Sequence, residues 1–592
     1  MNNLIEIKQY LTGKVADAFK SLAYDTESVS VAVSNRPEMA DYQCNSVFML
    51  AKKAGKNPLA LAEEVLPALQ KNLNGIAEVS VAGAFVNLKL TQSGLSKIFE
   101  ALYKARATEP KNGKTVVLDY GGANIAKELH MGHLRSPIIG EAIKNLYTKF
   151  GYTTIADAHL GDWGLQMGLV MAMLEEKGLV NFSSANAKLP NITLALLNEC
   201  YPEASKRSKI DAEFKAKAED YTLKLQHKQE PFYKVFKRIR EVSVKAIARN
   251  YQNLNCHFDL WKGESDAEED INRAVEIFEK KGLTKESDGA VIVEVAREGE
   301  HIPIPKKDPS DPNEKQLYKN PMPPLVLKKH NGGSLYATTD IATILQRVEE
   351  NKNLAEIIYV TDKRQNTHFE QVFRACKMAG IAPEKLKLTH VGYGTMNGKD
   401  GKAFKTRAGT TIKLEDIIDL ISSKAQEKLV ANGNQNSSEL ALQIGVGAMK
   451  FGDLINDVSR DYIFDLDKFM SFEGKTGPYL QYTGVRIKSL LNKAGDFTPN
   501  FDIVCQEQKD ILLAILALKQ AYKDAFNALS PSLVCAGVYG VASSFSTFYN
   551  NNRILTETDK QKRDSYLTTC KLVLDNIAEA LNILAIDLPE RM

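Results

Sequence analysis

The stretch TVVLDYGGANIAKELHMGHLRSPIIGEAIKNLYTKFGYTTIADAHLGDWG, Thr115 to Gly164, decides the fold. It opens with a short β-branched run that ends in the pair Gly121-Gly122. A helical stretch follows from about Gly132 to Phe150, and the chain then returns to a β-branched run with a polar end. Strand, helix, strand at this spacing is a right-handed βαβ unit on a parallel sheet. A second set lies far downstream. SLYATTD (334–340) reads as a strand leading into the helix IATILQRVEE, EIIYVTD (356–362) leads into HFEQVFRACKMAG, and LKLTHVGYG (386–394) follows. Between the two sets the chain is first helical and then loop-rich, and the proline- and charge-filled IPIPKKDPSDPNEKQLYKNPMPP (302–324) reads as a surface excursion.

Outside this core the patterns change. Leu4, Ile7, Leu11, Val15, Phe19 and Leu22 recur at helical spacing, while SVSVAVS (28–34) and EVSVAGAFVNLKL (78–90) alternate as strands do. From about Leu414 the chain reads as nearly all helical, with Pro478 at a favoured first helical position. The expected class is α/β: a doubly wound, parallel, Rossmann-type catalytic domain with insertions, an N-terminal α/β domain and a C-terminal all-α bundle. The expected divisions are 1–108, 109–395 with an insertion at about 180–330, 396–470 and 471–592.

Composition narrows the function classes. The 592 residues are too many for one core. Charged residues make up 25 %, and the net charge of +3 neither announces nor excludes a nucleic-acid partner. No apolar run reaches the roughly 20 residues a bilayer needs. MNNLIEIKQYLTGK lacks the pattern of a secretory signal, so a cytoplasmic protein without membrane contact is expected. The seven cysteines are scattered with no CxxC pair, which argues against structural zinc and a disulfide framework, and no metal site is expected.

The chemistry concentrates at the first strand–helix turn. His130 and His133 are three apart at a helix start, beside the carboxyl edge of a strand, where open α/β sheets bind ligands. A helix N-terminus favours anions, and Gly132 removes a side chain where a ring or phosphate must come close. Two readings fit: a triphosphate held by imidazoles and backbone N–H groups, or a capping histidine with a second packed beneath it. Metal binding would need a third ligand.

HMGH (130–133) resembles the HIGH signature of class I aminoacyl-tRNA synthetases. DYGGANIAKELHMGHLRSPIIGEAI, HLGDWGLQMG, LYATTDIA, FEGKTGPYLQY and the terminal LPERM, in that order, are similar to the arginyl branch of that family. The resemblance covers essentially the whole chain. It implies activation of L-arginine with ATP and Mg2+ to arginyl-adenylate and pyrophosphate, then transfer to the terminal adenosine of the arginine tRNA, by a monomer. It implies that His130, Gly132 and His133 hold ATP and stabilise the attacked phosphate. It places the second signature, a mobile lysine-rich loop, at MNGKDGKAFKTRAGTTIKLEDII. That loop departs from the family pattern, since the second lysine has no clear counterpart. Lys402, Lys405 and Arg407 are the cations available there, Lys127 precedes the histidines, and an ordinary solvated basic turn is the other reading.

An arginine pocket needs carboxylates, because a bidentate pair fits the guanidinium fork. The resemblance assigns the side chain to Asp119, Tyr336 and Asp340, the α-amino and α-carboxylate groups to Asn124 and Gln365, and a place near adenosine to His368. By spacing alone Asp340 reads equally as an N-cap and Asp119 as a strand end. Asp162 and Trp163 fit either the crevice or a packed corner. For the tRNA, the basic run Lys234 to Arg249 fits a phosphate track or a solvated helix face. Tyr549, Asn551 and Arg553 in FSTFYNNNRIL suit splayed bases, although aromatics at this spacing also build cores. The family's helical domain reads the anticodon, and its N-terminal unit touches the tRNA corner. Three alternatives stand beside this reading: another class I synthetase, such as the cysteine enzyme; a simple nucleotidylyltransferase, which shares the histidine signature but would not need nearly 600 residues; and a catalytically silent tRNA-binding relative.

Overall fold

Parallel β-strands feed one another through helices here, as the alternation of β-branched runs and 3.6-period runs requires. The computed structural model describes residues 4–105, 108–184, 189, 191–297, 299–300, 302–303, 318–319, 322–328, 336–398, 401, 412–431 and 437–592. The chain divides into two units, one of residues 1–107, 471–583 and 587–592, the other of residues 108–470 and 584–586.

The larger unit is built on four parallel strands: β1 (Thr115–Asp119), β2 (Thr153–Asp157), β3 (Leu354–Asp362) and β4 (Lys387–Tyr393). Their spatial order is β4-β3-β1-β2. The chain therefore runs outward from β1 to β2, returns to the other side of β1, and runs outward again. The order reverses between β1 and β3, and the crevice at their carboxyl ends is where such sheets bind ligands. Helices α1 (Arg135–Lys149), α2 (Tyr336–Glu350) and α3 (Asn366–Met378) make the crossovers, followed by α4 (Leu414–Ala431) and α5 (Ser438–Leu454). Strand interiors are closed off from water: Val116, Val117, Leu118, Ile357, Ile358 and Val360 are all buried. The region between β2 and α2 is helical up to Lys280, and then holds the short strands Thr284–Ser287, Ala290–Val293 and Leu325–Lys328.

One expected element differs. YATTD (336–340) is not a strand, because these residues lie in α2, Tyr336–Glu350, and Leu335 lies outside the described residues. Ala337, Ile341, Ala342, Ile344 and Leu345 are buried at helical spacing, and that stripe overrides the β preference of two threonines. Asp340 thus sits in the second turn of a helix, not at a strand end.

The smaller unit joins an antiparallel four-stranded sheet to a helix bundle. The sheet contains the hairpin Ala77–Ala82 and Phe85–Leu90. The bundle comprises α6 (Gly477–Ala494), α7 (Gln506–Ala528), α8 (Ser532–Asn551) and α9 (Lys560–Ile583). Thr476 caps α6 and Pro478 lies in its first turn. Lys509 meets the buried Asp41 at 2.8 Å, and Phe99 packs edge-on against Phe501. No helix among the described residues is long and apolar enough to cross a membrane.

Candidate active site

The turn after β1 is held shut by its own side chains. Met131–His133 forms one 3-10 turn. The Gly132 N–H donates to His130 Nδ1 at 3.1 Å, and the His130 N–H donates to His133 Nδ1 at 3.0 Å. The rings lie 3.9 Å apart, centre to centre. The structure thus shows the capping histidine with the second ring against it. A Cβ on Gly132 would come within 2.8 Å of the His130 ring, so the close approach its glycine permits is made by the chain's own imidazole. Burial lowers the His130 pKa, with Lys127 adding to it, and lowers that of His133 to about 3, with His130 and Lys127 adding. Both rings are neutral at pH 7, as Nδ1 acceptors must be.

Neighbours fix this turn to the sheet and to the following loop. Ser136 Oγ accepts from the Gly121 N–H and donates to the Val360 carbonyl, both at 2.7 Å, which ties the ends of β1 and β3 together. Arg135 is buried, pairs with Asp453 at 2.8 Å and donates to the Gly394 carbonyl at 2.7 Å, between the rings of Tyr393 and Tyr462. The Met131 N–H reaches Ile412 and the Leu414 N–H reaches Leu129, so the segment leaving the basic loop pairs with the histidine turn. Lys402, Lys405 and Arg407 lie outside the described residues. Lys127 is described and exposed.

The acidic groups fall into two sets. In the first, Asp119 and Asp157 are register partners on neighbouring parallel strands. Arg347 Nη2 donates to Asp119 at 2.7 Å and to Asp157 at 2.6 Å. His159 lies 3.3 Å from Asp157. Burial opposes ionisation of Asp157, yet His159 and Arg347 outweigh it and hold its pKa well below the usual carboxylate range. Burial pushes Asp119 up against the pull of Arg347. In the second set, Asp340 Oδ2 meets His368 Nε2 at 2.6 Å, and Tyr336 is 71 % exposed one turn earlier on α2. Glu264 belongs here. Its turn packs on α2, and burial, then Asp162 and Asp340, push its pKa up to about 7. Gln365 and Asn124 are exposed, Gln365 in the turn after β3 and Asn124 in a bridge with Gly161.

Asp162 and Trp163 form a packed corner. Asp162 is fully buried, accepting from Arg240 and Ser265, and Trp163 Nε1 donates to Glu268 at 2.8 Å. The basic helix Phe232–Asn253 spends Arg238 and Lys245 on its own Glu241. In the bundle, Phe545 and Phe548 are core, while Tyr549 is half-buried with Arg486 stacked 3.7 Å over its ring. Asn551 donates to Glu507 at 3.0 Å, and Arg553 is exposed. Sequence reading assigned no role to Glu264, Arg135, Arg347 or Arg486. Arg135 alone carried a local signal, an arginine two residues after the histidine signature.

A parallel sheet with paired histidines at its switch point is the arrangement of the class I aminoacyl-tRNA synthetases. Residues 97–466 match the family model described as tRNA synthetases class I (R), catalytic domain. Residues 6–90 match the arginyl tRNA synthetase N terminal domain, and 480–592 the DALR anticodon binding domain. The chain belongs to the arginyl-tRNA synthetase family and is an arginine–tRNA ligase. It is 39 % identical to the arginine–tRNA ligase of Alkaliphilus oremlandii over 99 % of both chains, and 37 % identical to that of Agathobacter rectalis over the whole of both. Its fold is that of the arginyl-tRNA synthetase from Plasmodium falciparum, with a TM-score of 0.77 at 24 % identity, covering 99 % of this chain and 98 % of that one.

Proposed function

We propose that the crevice between β1 and β3 holds ATP, as its Mg2+ complex, against the histidine turn and grips arginine on the α2 side. His130 and His133 act as neutral hydrogen-bonding groups on the phosphates, with Gly132 letting the rings close up. The attacked α-phosphate gathers negative charge, so the cations must come from elsewhere: Lys127 on one side, and Lys402, Lys405 and Arg407 on the loop. The guanidinium goes to Asp340, Glu264 and Tyr336. Asn124 and Gln365 take the α-amino and α-carboxylate ends, His368 orients Asp340 and lies near adenosine, and Asp119 borders the pocket with the oxygen Arg347 leaves over.

The observation that supports this reading is the acidic wall on α2 and the Glu264 turn, where Asp340 meets a histidine, while Asp119, Asp157 and Asp162 are each held by an arginine. We further propose a cytoplasmic monomer divided at 108, 395 and 470. Its bundle meets the anticodon through Tyr549, Asn551 and Arg553, with Arg486 beside them, and its N-terminal sheet touches the tRNA corner. ATP–pyrophosphate exchange across the amino acids, with and without tRNA, tests the pocket. Exchange should be specific to arginine, and Asp340→Ala should raise the arginine requirement about tenfold or more, the loss of a charged hydrogen bond, with tRNA affinity kept. Unchanged arginine kinetics would remove Asp340 from the pocket.

A further inference from the structure

A packed corner does not need a buried carboxylate. Asp162 is fully buried in the corner Gly161–Gly164 that follows β2, and a charge there is unfavourable unless donors satisfy it. Two of its three donors belong to Ser265. Asp162 Oδ1 accepts from the Ser265 N–H at 2.9 Å, and Oδ2 accepts from Ser265 Oγ at 2.8 Å and from Arg240 Nε at 3.0 Å. Arg240 also donates to Asp266 at 2.7 Å and to the Trp261 carbonyl at 2.9 Å. The Glu264 N–H donates to the Leu160 carbonyl at 3.0 Å, and a Cβ on Gly263 would lie 2.6 Å from Asp162 Oδ2. Both neighbours of Glu264 are therefore seated on one carboxylate.

Asp162 also faces Glu264 as a charge. Its three donors favour the ionised form against the push of burial. Around Glu264, Asp162 and Asp340 oppose ionisation, His159 and the Trp163 N–H favour it, and Tyr336 faces it from α2. We propose that Asp162 is a positioning residue for arginine recognition: anchored by Arg240, it seats the turn that carries Glu264 and sets a buried negative charge behind that carboxyl. The inference rests on the reading that Glu264 meets the substrate guanidinium. Asp162 lies behind the turn and acts through Glu264, not on arginine or ATP. A second buried charge makes Glu264 hard to ionise in an empty pocket. An arriving guanidinium offsets that charge and a neutral side chain does not, so the arrangement favours a cationic substrate over its neutral isostere.

The test is calorimetric titration of L-arginine into the full-length chain at pH 8 and pH 6, with pyrophosphate exchange in the presence of tRNA giving the ATP half-saturation. Because Glu264 is pushed up to about 7, wild-type arginine affinity should fall about tenfold between the two pH values. Asp162→Asn keeps an oxygen for the Ser265 N–H and removes the charge. Its midpoint should drop by about one pH unit, so its affinity should fall only about twofold over the same interval, with the ATP half-saturation within about twofold of wild type. A fall still near tenfold means that the charge does not act on Glu264 and overturns the proposal. So does a loss that is equal at both pH values and shared by ATP, the result a merely structural role predicts. If Asp162→Asn does not fold, Arg240→Ala decides. Releasing Asp162 and Asp266 should weaken arginine binding about tenfold or more at pH 8 with ATP unaffected, as for a misplaced binding group; unchanged arginine affinity, or an equal loss for ATP, overturns the proposal. Wild-type binding that is flat across this pH range and equal in Glu264→Gln would overturn the pocket reading, and this inference with it.

Discussion

His133 accepts the His130 N–H through Nδ1, which only an unprotonated ring can do. Its pKa falls from the ordinary 6.5 to about 3, chiefly through burial. Between those values the unfolded chain takes up a proton that the folded chain refuses, so stability is present above pH 6.5 and drains away as pH falls toward 3. His133→Asn keeps an acceptor for the backbone and removes the titration. In urea titrations across pH 7 to 4, the wild type should lose stability more steeply than the variant, by at most about 1.4 kcal/mol per pH unit. Parallel slopes would place the imidazole in water. Glu264 runs the other way: burial and the neighbouring Asp162 and Asp340 raise it to about 7, so near neutrality it is half protonated. Meeting a guanidinium requires the ionised form. Arginine affinity should therefore weaken as pH drops below 7, by at most about tenfold per unit, with a proton released on binding. Calorimetry in two buffers of different ionisation enthalpy measures that proton, and Glu264→Gln should abolish both the release and the slope.

The histidine turn depends on one missing side chain. A Cβ at Gly132 would overlap the His130 ring, 2.8 Å from Cε1 and 3.0 Å from Nδ1, so Gly132→Ala must push the imidazole off its N–H donor. The turn is exposed at Gly132, and the fold does not need that bond. Exchange activity should fall by about tenfold or more, as for a misplaced catalytic group, while the melting temperature stays within a few degrees. A variant with full activity would show that the ring pairing is incidental. The same elements show what could be read beforehand. Strands β1, β2, β3 and β4 were legible because buried parallel strands carry unbroken β-branched runs bounded by turn residues. LYATTD misled because two threonines and a tyrosine look like a strand until the buried period of Ala337, Ile341 and Leu345 is counted. His130, His133 and Asp340 could be named because a motif or a charge demand singles them out. Glu264, Arg347 and Arg486 could not, since each earns its place only through a partner distant in sequence.

Long-range pairing of that kind also decides how the chain's end is used. After α9 the backbone leaves the bundle's unit, and residues 584–586 belong to the unit of the catalytic sheet. The reason is Lys450 on α5, which is completely buried and has no carboxylate in hydrogen-bond reach among the described residues. Its ammonium donates to the carbonyls of Leu254 at 2.6 Å and Ala585 at 2.7 Å, with Asn255 at 3.4 Å, and the Asn255 amide also reaches Ala585. Three segments remote in sequence thus meet on one cation: the end of the Phe232–Asn253 helix, α5 and the C-terminal return. A buried charge satisfied by carbonyl dipoles is stable only while all of them are present. Lys450→Met has nearly the same length and no donors, so it removes the ammonium from all of these carbonyls at once, a loss of about 1–3 kcal/mol. Loss of that order should lower the melting temperature and raise hydrogen exchange at residues 584–586 and 254–256 together, with the interior of β1 and β3 still protected. Exchange that rises at one segment without the other would mean that they are held independently, and that Lys450 is a passenger in a contact made by packing.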